Sequence, residues 1–168
     1  MERILNLDKA EGKILEDLRQ CLKSICKISS KDLISVSQGI DVLRRLRKAV
    51  YEDINQIQHE EMALRAVRSL QENDFLNQKL DWYWNPRQTG DDSEPDLRAV
   101  KNDDIVLSAE VTTSEKPKGT IDQRMGDTLA KLSNMQGHRF YFVQTDSMEK
   151  RARTKIEKGG FQIVVRNI

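Results

Sequence analysis

The chain has 168 residues, 38% hydrophobic and 33% charged, with a formal net charge of +1. That length suits one domain, or one domain with a helical extension, and is enough to bury a core. The charge balance excludes a polycation, so nucleic-acid contacts would need local patches; no apolar run approaches membrane-spanning length, and two cysteines and two histidines give a zinc site or a histidine triad little to build on.

The opening Met1-Glu2-Arg3-Ile4 has no signal-peptide pattern, so a cytoplasmic protein is expected. Ile14, Leu15, Leu18, Cys21, Leu22 and Ile25 recur at helical spacing and predict a first helix. Cys21 and Cys26 suit neither a zinc knuckle nor a redox pair and are assigned to helix packing. Ser29-Ser30 marks a break and offers an N-cap, and Gly39 weakens or ends a short helix after it. From Ile40 to about Asn73 the spacing of Leu43, Leu46, Val50, Ile54, Ile57, Leu64, Val67 and Leu70 is again helical, as one long helix or two. This stretch carries a basic patch, Arg44, Arg45, Arg47 and Lys48. A second patch, Lys150, Arg151, Arg153, Lys155 and Lys158, lies near the C-terminus. Each reads either as a solvated helix face or as a set of phosphate contacts.

Near residue 74 the pattern turns strand-like. Leu80-Asp81-Trp82-Tyr83-Trp84 predicts a strand on which Trp82 and Trp84 share a face, for packing or for base stacking. Pro86 to Pro95, with Gly90, Asp91 and Asp92, reads as a loop. A hairpin over residues 96–112 follows, then a loop from Thr113 to Thr120. A helix from Ile121 to Asn134 precedes a buried strand, Phe140-Tyr141-Phe142-Val143. Ser147 caps a helix that runs to about Lys158 and ends at Gly159-Gly160, and Phe161 to Val165 is the last strand. This order predicts an α/β fold, a mixed sheet flanked by helices with a right-handed strand-helix-strand crossover.

The hairpin carries the chemistry. Centred on Asp103, it pairs Asp96 directly with Glu110, and directly opposed residues have Cβ atoms roughly 4.5–5.5 Å apart. In that register Leu97, Ala99, Ile105, Leu107, Ala109 and Val111 share one face. Asp96, Arg98, Ser108, Glu110 and Thr112 share the other, and a one-residue slip would separate the acids. The pair reads either as part of a solvated polar face or as the carboxylate core of a Mg²⁺ site.

Pro95-Asp96 and Glu110-Val111-Thr112, with this element order, resemble the PD-(D/E)XK nuclease superfamily and its restriction-endonuclease-like fold. The resemblance covers roughly residues 59–165. It implies a nuclease core over residues 59–168 and leaves residues 1–58 as a helical extension for dimerisation or a partner. It implies Asp96 and Glu110 as ligands of Mg²⁺ or Mn²⁺, with the Val111 carbonyl as a further ligand. It also implies a first-helix acid, Glu60 or its neighbour Glu61, each of which reads equally well as an exposed acid favouring the helix dipole. Thr112 stands where the family has the lysine that positions the attacking water. Thr112 itself can hold a water by hydrogen bond. Lys116 and Lys118 follow within one loop and Lys131 lies on the next helix, whereas Lys101 has the parity of the apolar face.

The implied function is metal-dependent cleavage of DNA of a restriction or defence type, RNA being equally compatible with the residues. The implied partners are DNA and a second copy or a larger complex. Lys116, Lys118, Gln123 and Arg124 would contact phosphates or bases, and Arg151 and Lys155, four apart, would track a backbone. The alternatives are a catalytically inactive nuclease-fold protein that binds nucleic acid or scaffolds a complex, and an interaction protein that acts through its helical half.

Overall fold

Asn102 and Asp103 both adopt positive φ, 48° and 69°, as a two-residue type I′ turn requires. In the computed structural model, which describes residues 1–29, 34–72, 80–86 and 93–168, this turn builds the centre of the sheet. It joins β3 (Leu97–Lys101) to β4 (Asp104–Thr112). Lys101 pairs with Asp104 and Val100 with Ile105; the register then shifts, and Ala99 meets Leu107, Arg98 meets Ser108 and Leu97 meets Ala109. The turn is therefore centred between Asn102 and Asp103, half a step earlier than the expected centre at Asp103. A bulge at Val106 restores the expected register at the outer end of the hairpin. The bulge also corrects one face assignment: Val106 packs on the apolar core in place of Ile105.

The other strands are β1 (Glu2–Ile4), β2 (Asp81–Trp84), β5 (His138–Val143) and β6 (Val164–Asn167). The sheet order is β1-β2-β3-β4-β5-β6. The first four strands are antiparallel, and β4, β5 and β6 are parallel. Helices α1 (Leu7–Ser29) and α2 (Val36–Glu72) cover one face; α3 (Thr120–Ser133) and α4 (Asp146–Gly159) cover the other. Under α2 lie Leu97, Ala99, Leu107, Ala109, Phe140 and Phe142. Under α3 and α4 lie Tyr141, Val143 and Val165, packed against Met125 and Leu129 of α3 and Met148 of α4. The molecule is thus an α/β protein with a six-stranded mixed sheet between two helical layers. None of the helices among the described residues is long and apolar enough to cross a membrane.

Several local expectations change. β1 was not legible as a strand: three residues are too few for a period, and Glu2 and Ile4 take their partners, Trp84 and Trp82, from the edge of the sheet. Gly39 does not end a helix. It lies in the first turns of α2, where Ser35 Oγ accepts a hydrogen bond from Gln38 N at 3.3 Å. The helical stretch of residues 40–72 is one helix, α2, running unbroken through residues 58 and 59. Thr145, not Ser147, caps α4, and its hydroxyl accepts from Met148 N at 3.3 Å. Gly160, at φ 65°, and Phe161 close the end of α4, Phe161 N donating to Ile156 O at 3.1 Å. That cap uses the first residues of the expected last strand, so β6 begins at Val164. Ser30 as a cap, the change of character near residue 74, and Gly90, Asp91 and Asp92 lie outside the described residues.

Gly137 sits at φ 76°, and a Cβ there would lie 2.4 Å from the Val106 carbonyl carbon, on the backbone of the bulge. Backbone does not yield as a flexible side chain does. Gly137→Ala should therefore destabilise the protein by about 3 kcal/mol or more, read as a lowered denaturation midpoint in urea. An unchanged midpoint would mean that the bulge does not hold the α3–β5 connection as described.

Candidate metal and phosphate site

Asp96 immediately precedes β3, and Glu110 lies two residues before the end of β4. The Leu97–Ala109 pairing continues the hairpin outward and puts the two acids opposite each other. Their side chains are in hydrogen-bonding contact, and both residues are buried, at 8% and 6% exposure. Pro95 has no N–H to offer the ladder. The N–H of Val111 donates to Asp96 Oδ2 at 2.8 Å, which fixes the Asp96 carboxylate at the strand end.

Each carboxylate has a basic neighbour from a different helical layer. His59 Nε2, from α2, lies 3.2 Å from Asp96 Oδ2. Lys131 Nζ, from α3, lies 2.8 Å from Glu110 Oε1 and donates to the Glu94 carbonyl at 2.9 Å. The Glu110–Lys131 contact is close but poorly aligned, so Glu110 Oε1 is a buried oxygen that accepts no well-aligned hydrogen bond.

Burial pushes the Glu110 carboxyl up to about 8, and the Asp96 charge adds to it, against the opposing pull of Lys131. Burial alone would also raise Asp96. The hydrogen bond and charge of His59, with the Val111 N–H, more than offset it and hold Asp96 below its ordinary value. For His59, burial alone would lower the imidazole, but the hydrogen bond and charge of Asp96 and the charge of Glu60 raise it. The pair therefore shares its charge unequally: Asp96 is ionised and Glu110 retains a proton near neutrality.

These groups open into a cleft of about 590 Å³ between α2 and α3, over the carboxyl end of β4. Tyr51, Asn55, Gln56 and His59 line it from α2, and Thr120, Arg124 and Thr128 from α3. Thr112 lies in its floor with its hydroxyl bonded to Tyr141, whose phenol is pushed up chiefly by burial. Thr112 Oγ1 also accepts from Ser114 N at 3.5 Å.

Of the residues singled out in the sequence, Asp96, Glu110, Val111, Thr112 and Arg124 meet in this cleft. Lys116 lines a separate shallow depression with Glu115, Thr145 and Asp146. Lys118 and Gln123 are not among the described residues lining the cleft. Glu60 is buried at 3% exposure and accepts from Gln56 Nε2 at 3.2 Å; Glu61 is exposed and pairs with Arg65. Arg151 grips Asp122 through two hydrogen bonds of 2.7 and 2.8 Å, and Lys155 lies 3.3 Å from the same carboxylate. These contacts, the Arg151 hydrogen bond foremost, hold Asp122 well below the usual carboxylate range.

Lys131, named in the sequence beside Lys116 and Lys118 as a nearby lysine, is the one that reaches the acids, and His59 is the neighbour that sequence reasoning passed over. Lys131 had a signal: Arg124, Thr128 and Lys131 recur at i, i+4 and i+7 on one side of α3. His59 had a weaker one, since its place over Asp96 depends on α2 being continuous.

Among the described residues, no group of three or more His, Cys, Asp or Glu side chains is gathered as a metal centre. The donors that do meet are hard oxygens: the Asp96 and Glu110 carboxylates. They fit Mg²⁺ or Mn²⁺ better than zinc. The Val111 carbonyl joins this set, because the N–H and C=O of one strand residue point to the same edge and the N–H already reaches Asp96. Compared with protein-family models, with curated proteins and with solved structures, the chain has no match.

Between about pH 4.5 and 8 the folded protein keeps the Glu110 proton that the unfolded chain releases. Stability without divalent cations should therefore fall as pH rises through that window. The raised His59 acts in the same direction above about pH 6.5, and the lowered Asp96 is ionised in both states throughout. Thermal unfolding in EDTA should show Glu110→Gln gaining on the wild type between pH 5 and pH 8, by on the order of 2 kcal/mol at the upper end. Parallel curves for the two proteins would contradict the buried, shared proton.

Proposed function

We propose that the protein is a metal-dependent nuclease of the PD-(D/E)XK type, acting on DNA. The observation that carries this reading is the contact of Asp96 and Glu110 at the open end of a hairpin, with Lys131 at 2.8 Å from Glu110. The fold in this reading is restriction-endonuclease-like, with α2 as the first core helix and β2, β3 and β4 as the antiparallel part of the sheet.

Asp96, Glu110 and the Val111 carbonyl would hold Mg²⁺ or Mn²⁺, the bound ion supplying Lewis-acid stabilisation of the phosphoryl oxygens and a more acidic water. Glu110 Oε1, buried and poorly aligned with Lys131, would be the ligand atom of Glu110 in this set. Lys131 takes the part that the motif lysine has in the family. Its ammonium, reaching Glu110 from α3 and held by the Glu94 carbonyl, orients the attacking water and opposes charge developing on the phosphate. Thr112, already bonded to Tyr141, is a wall of the site and not its cation. His59 holds Asp96 in place as a positioning residue. Arg124, on the cleft wall, contacts a substrate phosphate.

One observation favours the inactive, nucleic-acid-binding alternative. His59 and Lys131 already lie against the two carboxylates, so each acid has a basic neighbour without an added cation.

Supercoiled plasmid incubated with the purified protein in Mg²⁺, then Mn²⁺, separates the two readings. Cleavage is expected, with Asp96→Ala reducing it to background and Lys131→Met reducing it on the order of 10²-fold. Asp96→Ala cleaving like the wild type would end the nuclease reading, and a wild type silent in both metals would leave the binding protein.

A further inference from the structure

Arg124 is the one Lys or Arg side chain among the described residues lining the cleft, so most of the affinity for a flanking nucleic acid must come from cations outside it. With a net charge of +1, the whole-molecule field supplies little of that attraction. The sequence holds two basic patches, and the structure treats them differently. In the C-terminal patch, Arg151 and Lys155 are committed to Asp122, and Arg153 pairs with Glu149 at 2.5 Å. In the α2 patch, Arg45, Arg47 and Lys48 have no acidic partner among the described residues. Arg44 has only an exposed contact with Asp41 at 3.3 Å, its own side chain 77% exposed.

The α2 patch is also aligned with the site. Arg44, Lys48, Tyr51, Asn55 and His59 follow at i, i+4, i+7, i+11 and i+15, a spacing that keeps them on one side of a helix. The opposite side carries Leu46, Val50 and Ile57, which pack into the core. Three of the five, Tyr51, Asn55 and His59, line the cleft itself. The stripe therefore begins at Asp96 and runs outward to the cations, over about 22 Å from His59 to Arg44. That length matches about six nucleotide steps along one strand. Tyr51 stands between the carboxylates and the cations with 59% of its surface exposed, a large ring left in solvent at the cleft mouth.

Resting on the nuclease reading above, we propose that this face of α2 is the track by which a DNA strand enters the site. Lys48 and Arg44 hold successive phosphates of the flanking strand, and Arg45 and Arg47 lie to either side. Tyr51 stacks on the first base outside the cleft. The phosphate contacts serve single-stranded and duplex DNA alike, whereas the stacking contact requires an unpaired base.

The test is binding of the full chain to a labelled 20-nucleotide single strand and to its duplex, in EDTA so that no cleavage intervenes, across a salt series. Arg44→Ala/Lys48→Ala should lower the salt slope by the equivalent of two phosphates, about 1.8 for duplex and 1.4 for the single strand, and weaken binding at least tenfold near 0.1 M salt. Lys150→Ala/Lys158→Ala should bind like the wild type. Tyr51→Ala should weaken the single strand and not the duplex, and Tyr51→Phe should restore it. The substituted side chains are exposed, and circular dichroism verifies that each variant is folded. An unchanged slope in Arg44→Ala/Lys48→Ala overturns the track even if cleavage still depends on Asp96. A lowered slope upholds it even if the protein cuts nothing.

Discussion

Two carboxylates pressed together away from water repel each other, and much of the architecture around Asp96 and Glu110 follows from that repulsion. At an effective dielectric of about 20, like charges about 4 Å apart cost roughly 4 kcal/mol, a large part of the stability of a domain this size. The hairpin register nevertheless forces the contact, because moving either strand by one residue would expose the apolar set Leu97, Ala99, Leu107 and Ala109. Core packing on one face of the sheet thus holds an unfavourable pair on the other.

The protein answers the cost in three ways. The Val111 N–H is spent on the Asp96 carboxylate. A histidine from α2 and a lysine from α3 bring one basic group to each acid from opposite layers of the molecule. Glu110 keeps a proton that an ordinary glutamate would lose. In the proposed reading a divalent cation would displace the Glu110 proton and relieve the repulsion directly. Affinity for a flanking strand would then come mostly from the side of α2 that the core leaves uncovered.

The acid pair was legible in the sequence because alternation over residues 96–112 fixes the faces and Asn102-Asp103 supplies the turn. The α3, β5 and α4 elements were legible for the same reason, through period and breakers. The bulge at Val106 was not, since it depends on the turn geometry and on Gly137 approaching from the α3–β5 connection. Nor was β1, which is defined wholly by its neighbour β2. In the site, Asp96 and Glu110 are local partners across one hairpin, so spacing was enough to find them. His59 and Lys131 reach the pair from helices 37 and 21 residues away in the chain, and only tertiary packing shows which side of each helix meets it. Lys116 and Lys118 are nearer in sequence to the missing lysine position, but the loop turns Lys116 toward Thr145 and Asp146 and leaves Lys118 out of the cleft lining.

The central claim is that Asp96 and Glu110 form one cation site. Its most direct test is a Mn²⁺ titration followed by electron paramagnetic resonance at pH 7.5, on the wild type and on Asp96→Asn. The account predicts that the wild type removes free Mn²⁺ signal with at least one site per chain, competed by Mg²⁺, and that Asp96→Asn loses that site while staying folded. A wild type that leaves the free Mn²⁺ signal undiminished at millimolar metal, or an Asp96→Asn variant that binds equally well, would contradict it.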